Sequence, residues 1–232
     1  MADRTEPERL GAGGFGEVWR ARDERLGLDV AVKSVWIPLS VSYEERHQRL
    51  VRAEREARNA ARLRDHPNVV AVHDVIVHDG VPRIVMQLVD GVSLQQRLEQ
   101  NGPLGVGETV RIGAALLGAL STAYAAGIHH RAIKPANVML TRDGHILLVD
   151  FGIAVHQHDT ALTETGMIIG SVEYLAPERA RGEPAGPAAD LFSLGATLYQ
   201  TVEGVVAFSQ GHGGRDTRGG PVRRPASRAP GR

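Results

Sequence analysis

Residues 130–137 read HRAIKPAN, and this octapeptide places a histidine, two cationic side chains and an amide within eight positions. Two shorter motifs follow it along the chain, DFG at residues 150–152 and APE at residues 176–178. A chance match to any one motif of this length is plausible, because short patterns recur in unrelated proteins. The order and spacing of the motifs therefore decide the interpretation, and two more motifs lie upstream.

The first upstream motif, at residues 11–18, reads GAGGFGEV. Glycine lets the backbone come close to phosphate oxygens and present its N–H groups to them. A glycine-rich hairpin alone is a weak signal, and a strand-turn-helix version of it would indicate a dinucleotide site. Here the pattern predicts that a strand follows the glycines, which argues against the dinucleotide site.

The second upstream motif, VAVK at residues 30–33, ends an apolar strand segment with a lysine. A buried lysine needs a partner, because an uncompensated charge is costly to remove from water. We expect that partner to be an acid on the adjacent helix, where Glu54 and Glu56 both qualify by composition.

Hydrophobic patterning predicts a sheet-rich first part and a helical second part, an α+β arrangement. A helix is predicted from the capping residue Ser42 to Leu63, with Glu45 completing a capping box. The predicted strands are 16–22, 28–36, 69–78, 82–89, 138–140 and 146–149. The further predicted helices are 93–100, 105–126 and 188–204.

Taken together and in this order, the five motifs resemble the eukaryotic-like (Hanks-type) serine/threonine protein kinase family, in particular its bacterial branch. The resemblance covers residues 7–208. It implies a two-lobed protein kinase fold with an N-lobe at 7–87, a hinge at 87–91 and a helical C-lobe at 92–208. It also implies ATP and Mg²⁺ in the cleft between the lobes, and a protein substrate or a partner kinase.

The resemblance implies roles for individual polar residues. Lys33 is similar to the lysine that holds the α and β phosphates, and Glu56 is favoured over Glu54 as the glutamate that orients it. Asn137 and Asp150 match the two magnesium ligands, which are hard oxygen donors. Lys134 matches the catalytic-loop lysine that neutralises charge on the transferred phosphoryl group. The implied ATP-binding residues are Leu10, Gly11, Gly13, Gly16, Val18, Ala31, Lys33, Met86, Gln87, Val89 and Met139, with Met86 as gatekeeper and the backbones of Gln87 and Val89 facing adenine.

One departure from the family pattern concerns chemistry directly. The family has an aspartate at the third position of HRAIKPAN, and this chain has Ala132, whose methyl group neither orients a substrate hydroxyl nor accepts its proton. A positioned acid–base group contributes about 10² to 10⁴ in rate, or about 3 to 5 kcal/mol of barrier. Nucleotide and metal binding do not depend on that carboxylate, so the sequence predicts binding with poor transfer.

A second departure lies at the C-terminal side of the resemblance. Family similarity stops after Phe208, so we expect a truncated C-lobe with apolar surface exposed to water, marginal stability, or a partner that covers the gap. Residues 209–232 contain six arginines and one acid and almost no large apolar residue. Such a segment buries too little surface to offset its ordering entropy, and we expect it to be a disordered basic tail.

Thr163 and Thr165 lie between the DFG and APE motifs, where bacterial relatives carry paired activation-loop threonines. Arg131 would pair with a phosphate on such a residue. Ordinary polar residues of a solvated loop explain the same pattern equally well.

Composition excludes several other classes of protein. The chain has 27 basic and 27 acidic residues, and glutamates alternate with the arginines of the first predicted helix, so no nucleic-acid site is expected. The chain has no cysteine and no strongly apolar run of roughly 20 residues, and its charged start is unlike a signal peptide. We therefore expect no membrane segment and a cytoplasmic location.

Only two of the basic residues are lysines, Lys33 and Lys134, and both fall at phosphate contacts that the resemblance implies.

Three functions stay open at this point. The first is a serine/threonine kinase with much reduced transfer, and the second is a pseudokinase that acts as a nucleotide-dependent binding or scaffold module. The third is a non-functional truncated fragment.

Overall fold

Five antiparallel strands form the sheet of the first part of the chain, in the spatial order β1-β2-β3-β5-β4. The computed structural model describes residues 8–13, 16–25, 27–35, 42–78, 81–151, 172–184 and 186–208. The strands are β1 (Arg9–Gly13), β2 (Gly16–Asp23), β3 (Leu28–Val35), β4 (Val72–His78) and β5 (Val81–Gln87). Lys33 lies opposite Val18 on β2 and Ile84 on β5, so these three side chains share one face of the sheet.

The observed sheet differs from the predicted one in one added strand and in where another strand begins. Strand β1 was not predicted, because Gly11, Ala12 and Gly13 have low strand propensity and the strand depends on pairing with β2. The strand predicted from residue 69 begins at Val72. The preceding valine, Val70, instead donates its N–H to the Leu148 carbonyl at 3.0 Å, which links the sheet to the helical part.

A single helix, α1 (Tyr43–Ala61), packs against β4 and β5. The Ser42 side chain accepts the Glu45 N–H at 3.2 Å, which confirms the predicted N-terminal cap. Ala53, Ala57 and Ala60 are fully or almost fully buried, at the helical spacing seen in the sequence.

The second part of the chain consists of helices around a small sheet. The helices are α2 (Leu94–Asn101), α3 (Val106–Ala125), α4 (Pro177–Ala180) and α5 (Pro187–Glu203), and the strands are β6 (Gly91–Ser93), β7 (Val138–Thr141) and β8 (Ile146–Leu148), in the order β6-β7-β8. Strand β6 and helix α4 were not predicted. A Cβ at Gly91 would lie 2.2 Å from the Leu140 carbonyl oxygen, so only glycine allows β6 to approach β7 this closely.

One hydrophobic core joins the two parts. It runs from Ala57 on α1 through Ile84 on β5 to Leu116 on α3 and Leu148 on β8. Because side chains from the sheet and the helices pack in one core, the sheet is fixed relative to the helices. Any cleft between them therefore has a defined shape. Within the described ranges, no helix combines the length and the apolar character needed to cross a membrane.

Candidate active site

A cleft of about 420 Å³ lies between the inner face of the sheet and the helical part. Its apolar walls come from β2, β3 and β5 on one side and β7 on the other. Of the residues predicted to bind ATP, the lining includes Leu10, Gly11, Val18, Ala31, Met86, Gln87, Val89 and Met139. Predicted residues from both parts of the chain therefore face the same space.

At the polar end of the cleft, the Lys33 amine donates to Asp150 Oδ2 at 2.6 Å. Lys33 is only 4% exposed, so its charge needs an opposite charge nearby, and this carboxylate from 117 positions further along supplies one. Asp150 has φ +66°, a conformation that costs a non-glycine residue about 1–2 kcal/mol and that needs support from its surroundings.

The sequence had placed the partner of Lys33 on the adjacent helix. Of the two candidates there, Glu54 forms a surface pair with Arg58 at 3.0 Å, whereas Glu56 is half-buried between Ala53 and Ala57. The assignment of Glu56 to Lys33 stays a prediction, and the contact with Asp150 is what the structure adds.

The backbone of the HRAIKPAN segment is held by a carboxylate from α5. Asp190 is 1% exposed and accepts the N–H groups of His130 at 2.8 Å and Arg131 at 2.6 Å. Arg131 has φ +67°, so the segment turns sharply there. Two charge-assisted hydrogen bonds to successive N–H groups stabilise that turn. Burial, reinforced by Asp190, also raises the pKa of Tyr124, whose hydroxyl donates to the same carboxylate at 3.4 Å.

His130 is completely buried and acts as a structural bridge. Burial lowers its pKa, so the ring is neutral near pH 7. Nε2 lies 2.8 Å from the Val149 carbonyl and must donate to it, which leaves Nδ1 to accept the Ala132 N–H at 3.2 Å. The ring also packs edge-on against Phe151, with centroids 4.7 Å apart. The imidazole thus ties the segment to the chain on either side of Asp150.

Ala132 is half-buried, and its carbonyl accepts the Asn137 side-chain amide at 2.7 Å. That bond assigns the NH₂ group of Asn137 to the protein and leaves Oδ1 as the atom available to a cation. Asn137 and Asp150 both line the cleft. An amide oxygen and a carboxylate are ligands suited to Mg²⁺, so the residues present fit that ion.

Lys134 is half-buried two positions after Ala132. Burial lowers its pKa, and the negative charges of Asp150 and Glu173 act in the opposite direction. The segment therefore carries a cation and an amide in place, and a methyl group at the position where a base would stand.

Gln87 and Val89, the two positions whose backbones are predicted to face adenine, differ in their hydrogen bonds within the protein. The Gln87 N–H donates to the Ala71 carbonyl at 2.9 Å, and its side-chain oxygen accepts the Ala71 N–H at 3.4 Å. Among the described residues, by contrast, no hydrogen bond occupies the N–H or the carbonyl of Val89. The N–H of Gln87 is therefore used within the protein, and the contacts of both backbones with adenine stay predictions.

Some residues with predicted roles are not among those that line the cleft. Gly13 and Gly16 pair with each other across the β1–β2 hairpin, outside the cleft lining, and Gly16 has φ +127°, a conformation open to glycine. Thr163 and Thr165 lie outside the described residues, and so does the tail predicted at 209–232. The cleft residues that the sequence did not single out are Val70, Leu88, Gly91, Ser93, Gln95, Gln96, Ala136 and Val149. A signal existed for Val149, which directly precedes the DFG motif.

Comparison with known proteins agrees with this geometry. Residues 4–220 match the family model described as a protein kinase domain. The chain is 39% identical, over 90% of its length, to a probable serine/threonine-protein kinase of Corynebacterium efficiens, CE0033. It is 40% identical over 90% of its length to serine/threonine-protein kinase PknB of Mycolicibacterium smegmatis. It is 38% identical over 90% of its length to serine/threonine-protein kinase PknA of Mycobacterium tuberculosis.

The alignments cover 32%, 34% and 49% of these three relatives, so the chain spans from about a third to about half of their length. The family match nevertheless includes most of the present chain, together with the sheet, the cleft and the HRAIKPAN segment. The expected α+β kinase architecture, with an antiparallel N-lobe sheet and one helix, is confirmed by the match and by the strand order. The chain therefore belongs to the protein kinase domain family, and bacterial serine/threonine-protein kinases are among its relatives.

Proposed function

We propose that the chain binds ATP with Mg²⁺ in the interlobe cleft and transfers phosphate to protein serine or threonine weakly or not at all. The observation that carries this proposal is the pairing of the buried Lys33 with Asp150 at 2.6 Å, because Asp150 and Asn137 line the cleft. The HRAIKPAN segment beside them has Ala132 at the base position. The residues proposed to hold phosphate and metal, Lys33, Asn137 and Asp150, are present. A carboxylate at position 132, which would orient the substrate hydroxyl and accept its proton, is absent.

Transfer requires the bond between the γ-phosphorus and the β–γ bridging oxygen to break and a bond from the substrate oxygen to form. The hydroxyl proton must leave during this exchange. Most of the catalysis in phosphoryl transfer comes from positioning and charge stabilisation, which Lys33 and Lys134 would supply to the phosphates. Without a base at 132, the proton is lost to water or to a phosphate oxygen, and the rate falls by about 10² to 10⁴.

Thermal unfolding tests the binding part of this proposal. ATP with Mg²⁺ at about 100 times its Kd should stabilise the chain by about 2.7 kcal/mol and raise its Tm. Lys33→Ala should abolish the rise, whereas Arg64→Ala, which changes a charge on the exposed surface, should leave it intact. Soluble protein that unfolds cooperatively without any shift would disprove nucleotide binding. Absence of cooperative unfolding would favour the non-functional fragment.

A second candidate is a pseudokinase that binds a protein partner. The observation that favours it is that several large apolar side chains on α3, α5 and the segment after α5 are exposed. They are Val106, Val110, Leu117, Leu191, Tyr199, Val205 and Phe208. Exposed apolar patches of this kind mark interaction sites or aggregation-prone surfaces.

Under this second candidate, Tyr199→Ser together with Leu191→Ser should reduce self-association or partner binding in light scattering and leave the nucleotide-dependent Tm shift unchanged. Loss of that shift in a variant with a lowered Tm would instead indicate that the surface stabilises the fold.

A further inference from the structure

Arg179 is a partly buried arginine that belongs to none of the sequence motifs. It lies in the four-residue helix α4, directly after the APE motif, and its side chain is half-buried. Its Nη1 donates to the backbone carbonyl of Arg131, 48 residues earlier in the chain. The guanidinium therefore connects α4 to the HRAIKPAN segment.

The charges around Arg179 show what compensates its burial. Burial lowers the pKa of Arg179, and the buried carboxylate of Asp190 acts against that shift, while Arg131 adds to it. Asp190 is itself 1% exposed, so the positive charge of Arg179 is favourable to it in addition to its hydrogen bonds. Arg179 and Asp190 thus hold the same turn, one through a carbonyl and the other through N–H groups.

The bond to Arg131 falls at the most constrained point of the segment. Arg131 has φ +67°, its N–H donates to Asp190 at 2.6 Å, and its carbonyl accepts from Arg179. The next carbonyl, that of Ala132, accepts the Asn137 amide at 2.7 Å. The peptide that Arg179 holds thus immediately precedes the carbonyl that orients a candidate metal ligand.

We propose that Arg179 is a positioning residue for the metal-binding side of the cleft. It fixes the peptide between Arg131 and Ala132, which presents the Ala132 carbonyl to Asn137 and keeps Asn137 Oδ1 available to Mg²⁺. This inference rests on the proposed binding of ATP with Mg²⁺. Residues that orient a metal ligand from outside the coordination sphere typically change metal affinity by about 10- to 100-fold when they are replaced.

Arg181 is the matched control, because it is an arginine only two positions away with a different environment. Its side chain is 65% exposed and pairs with Glu183 at 3.2 Å on the surface. Arg179→Lys keeps a charge and a donor but loses the planar fork of the guanidinium, so partial function is expected of it.

Titration calorimetry of the full chain tests the inference with three probes: ATP with Mg²⁺, ATP with EDTA, and adenosine. In the unsubstituted chain, Mg²⁺ should strengthen ATP binding. Arg179→Met should reduce that enhancement by about tenfold with adenosine affinity unchanged, and Arg179→Lys should restore part of it. Arg181→Met should retain the full enhancement. In an Asn137→Ala background, Arg179→Met should have no further effect, because the two act through one chain of contacts.

Three results would overturn the inference. The first is an Arg179→Met variant that keeps the Mg²⁺ enhancement. The second is equal weakening of adenosine and ATP, which indicates a general effect on the fold. The third is an additive loss with Asn137→Ala. If the unsubstituted chain binds ATP with no Mg²⁺ enhancement, the proposed function fails, and the inference fails with it for that separate reason.

Discussion

Two regions of the site differ in the groups they contain: the nucleotide half, which we propose holds ATP with Mg²⁺, and the acceptor half around position 132, which we propose meets the substrate hydroxyl. On the nucleotide side, Lys33, Asp150 and Asn137 are all present, and Lys33 and Asp150 are in contact at 2.6 Å. On the acceptor side, position 132 has a methyl group, yet the backbone around it is still held at both ends. The loop geometry and the carboxylate it would present are therefore separable features.

The scaffold around position 132 contains two features that are costly on their own. Arg131 adopts φ +67° and Asp190 is a buried charge, and each needs the other groups of the network to be tolerated. Because the backbone bonds at Ala132 do not involve its side chain, a carboxylate could return to this position without rebuilding the loop. The two halves can thus be tested one at a time.

The largest expected effect is on the acceptor half. Ala132→Asp restores a hydroxyl-orienting carboxylate and should raise phosphate transfer to a protein substrate by about 10² to 10⁴. Labelled phosphate incorporation measures this change, and Asp150→Ala in the same background should remove it. Incorporation that survives Asp150→Ala would point to a contaminating kinase, and no gain from Ala132→Asp would show that more than a base is missing.

A smaller effect is expected from the scaffold shared by the two halves. Asp190→Ala leaves two backbone N–H groups without their acceptor and removes a charge that opposes Arg179, so the free energy of unfolding should fall by about 3 to 5 kcal/mol. Chemical denaturation measures it. Asp65→Ala removes a carboxylate that is 93% exposed and lies 3.8 Å from the Arg64 side chain, so it should change stability by less than about 0.5 kcal/mol. Equal effects of the two substitutions would contradict a structural role for Asp190.

The smallest effect is a pH dependence that comes from His130. Burial lowers the pKa of this histidine in the folded chain, so below the ordinary pKa of about 6.5 the unfolded chain binds a proton that the folded chain does not. Stability should therefore fall as the pH falls below about 6.5. His130→Gln should reduce that slope by up to about 1.4 kcal/mol per pH unit between pH 6.5 and 5. Parallel stability curves for the two proteins would show that His130 does not titrate on unfolding.

Local sequence signals predicted the parts of the molecule that depend on neighbouring residues. The Ser42 cap and the alanines on the inner face of α1 follow from spacing along one helix. Strands β1 and β6 were missed because glycine and short length give little local preference, and pairing with β2 and β7 determines them.

In the site, too, local motifs predicted some residues, whereas contacts between distant segments were missed. The motifs identified Lys33, Asn137 and Asp150, and most of the apolar positions predicted to surround adenine line the cleft. The direct contact of Lys33 with Asp150 joins residues 117 positions apart, and the bond from Arg179 to Arg131 belongs to no motif. Such contacts depend on how the elements pack, so a single sequence does not specify them.

Under the proposed function, ATP binds with Mg²⁺ whether or not a carboxylate stands at position 132. Titration calorimetry of ATP with Mg²⁺ into the unsubstituted chain and into Ala132→Asp tests it most directly. Both proteins should bind ATP, with Kd values that agree within about twofold, a difference below about 0.5 kcal/mol. A Kd that differs by about tenfold, equivalent to 1.4 kcal/mol, or binding only by Ala132→Asp, would contradict it.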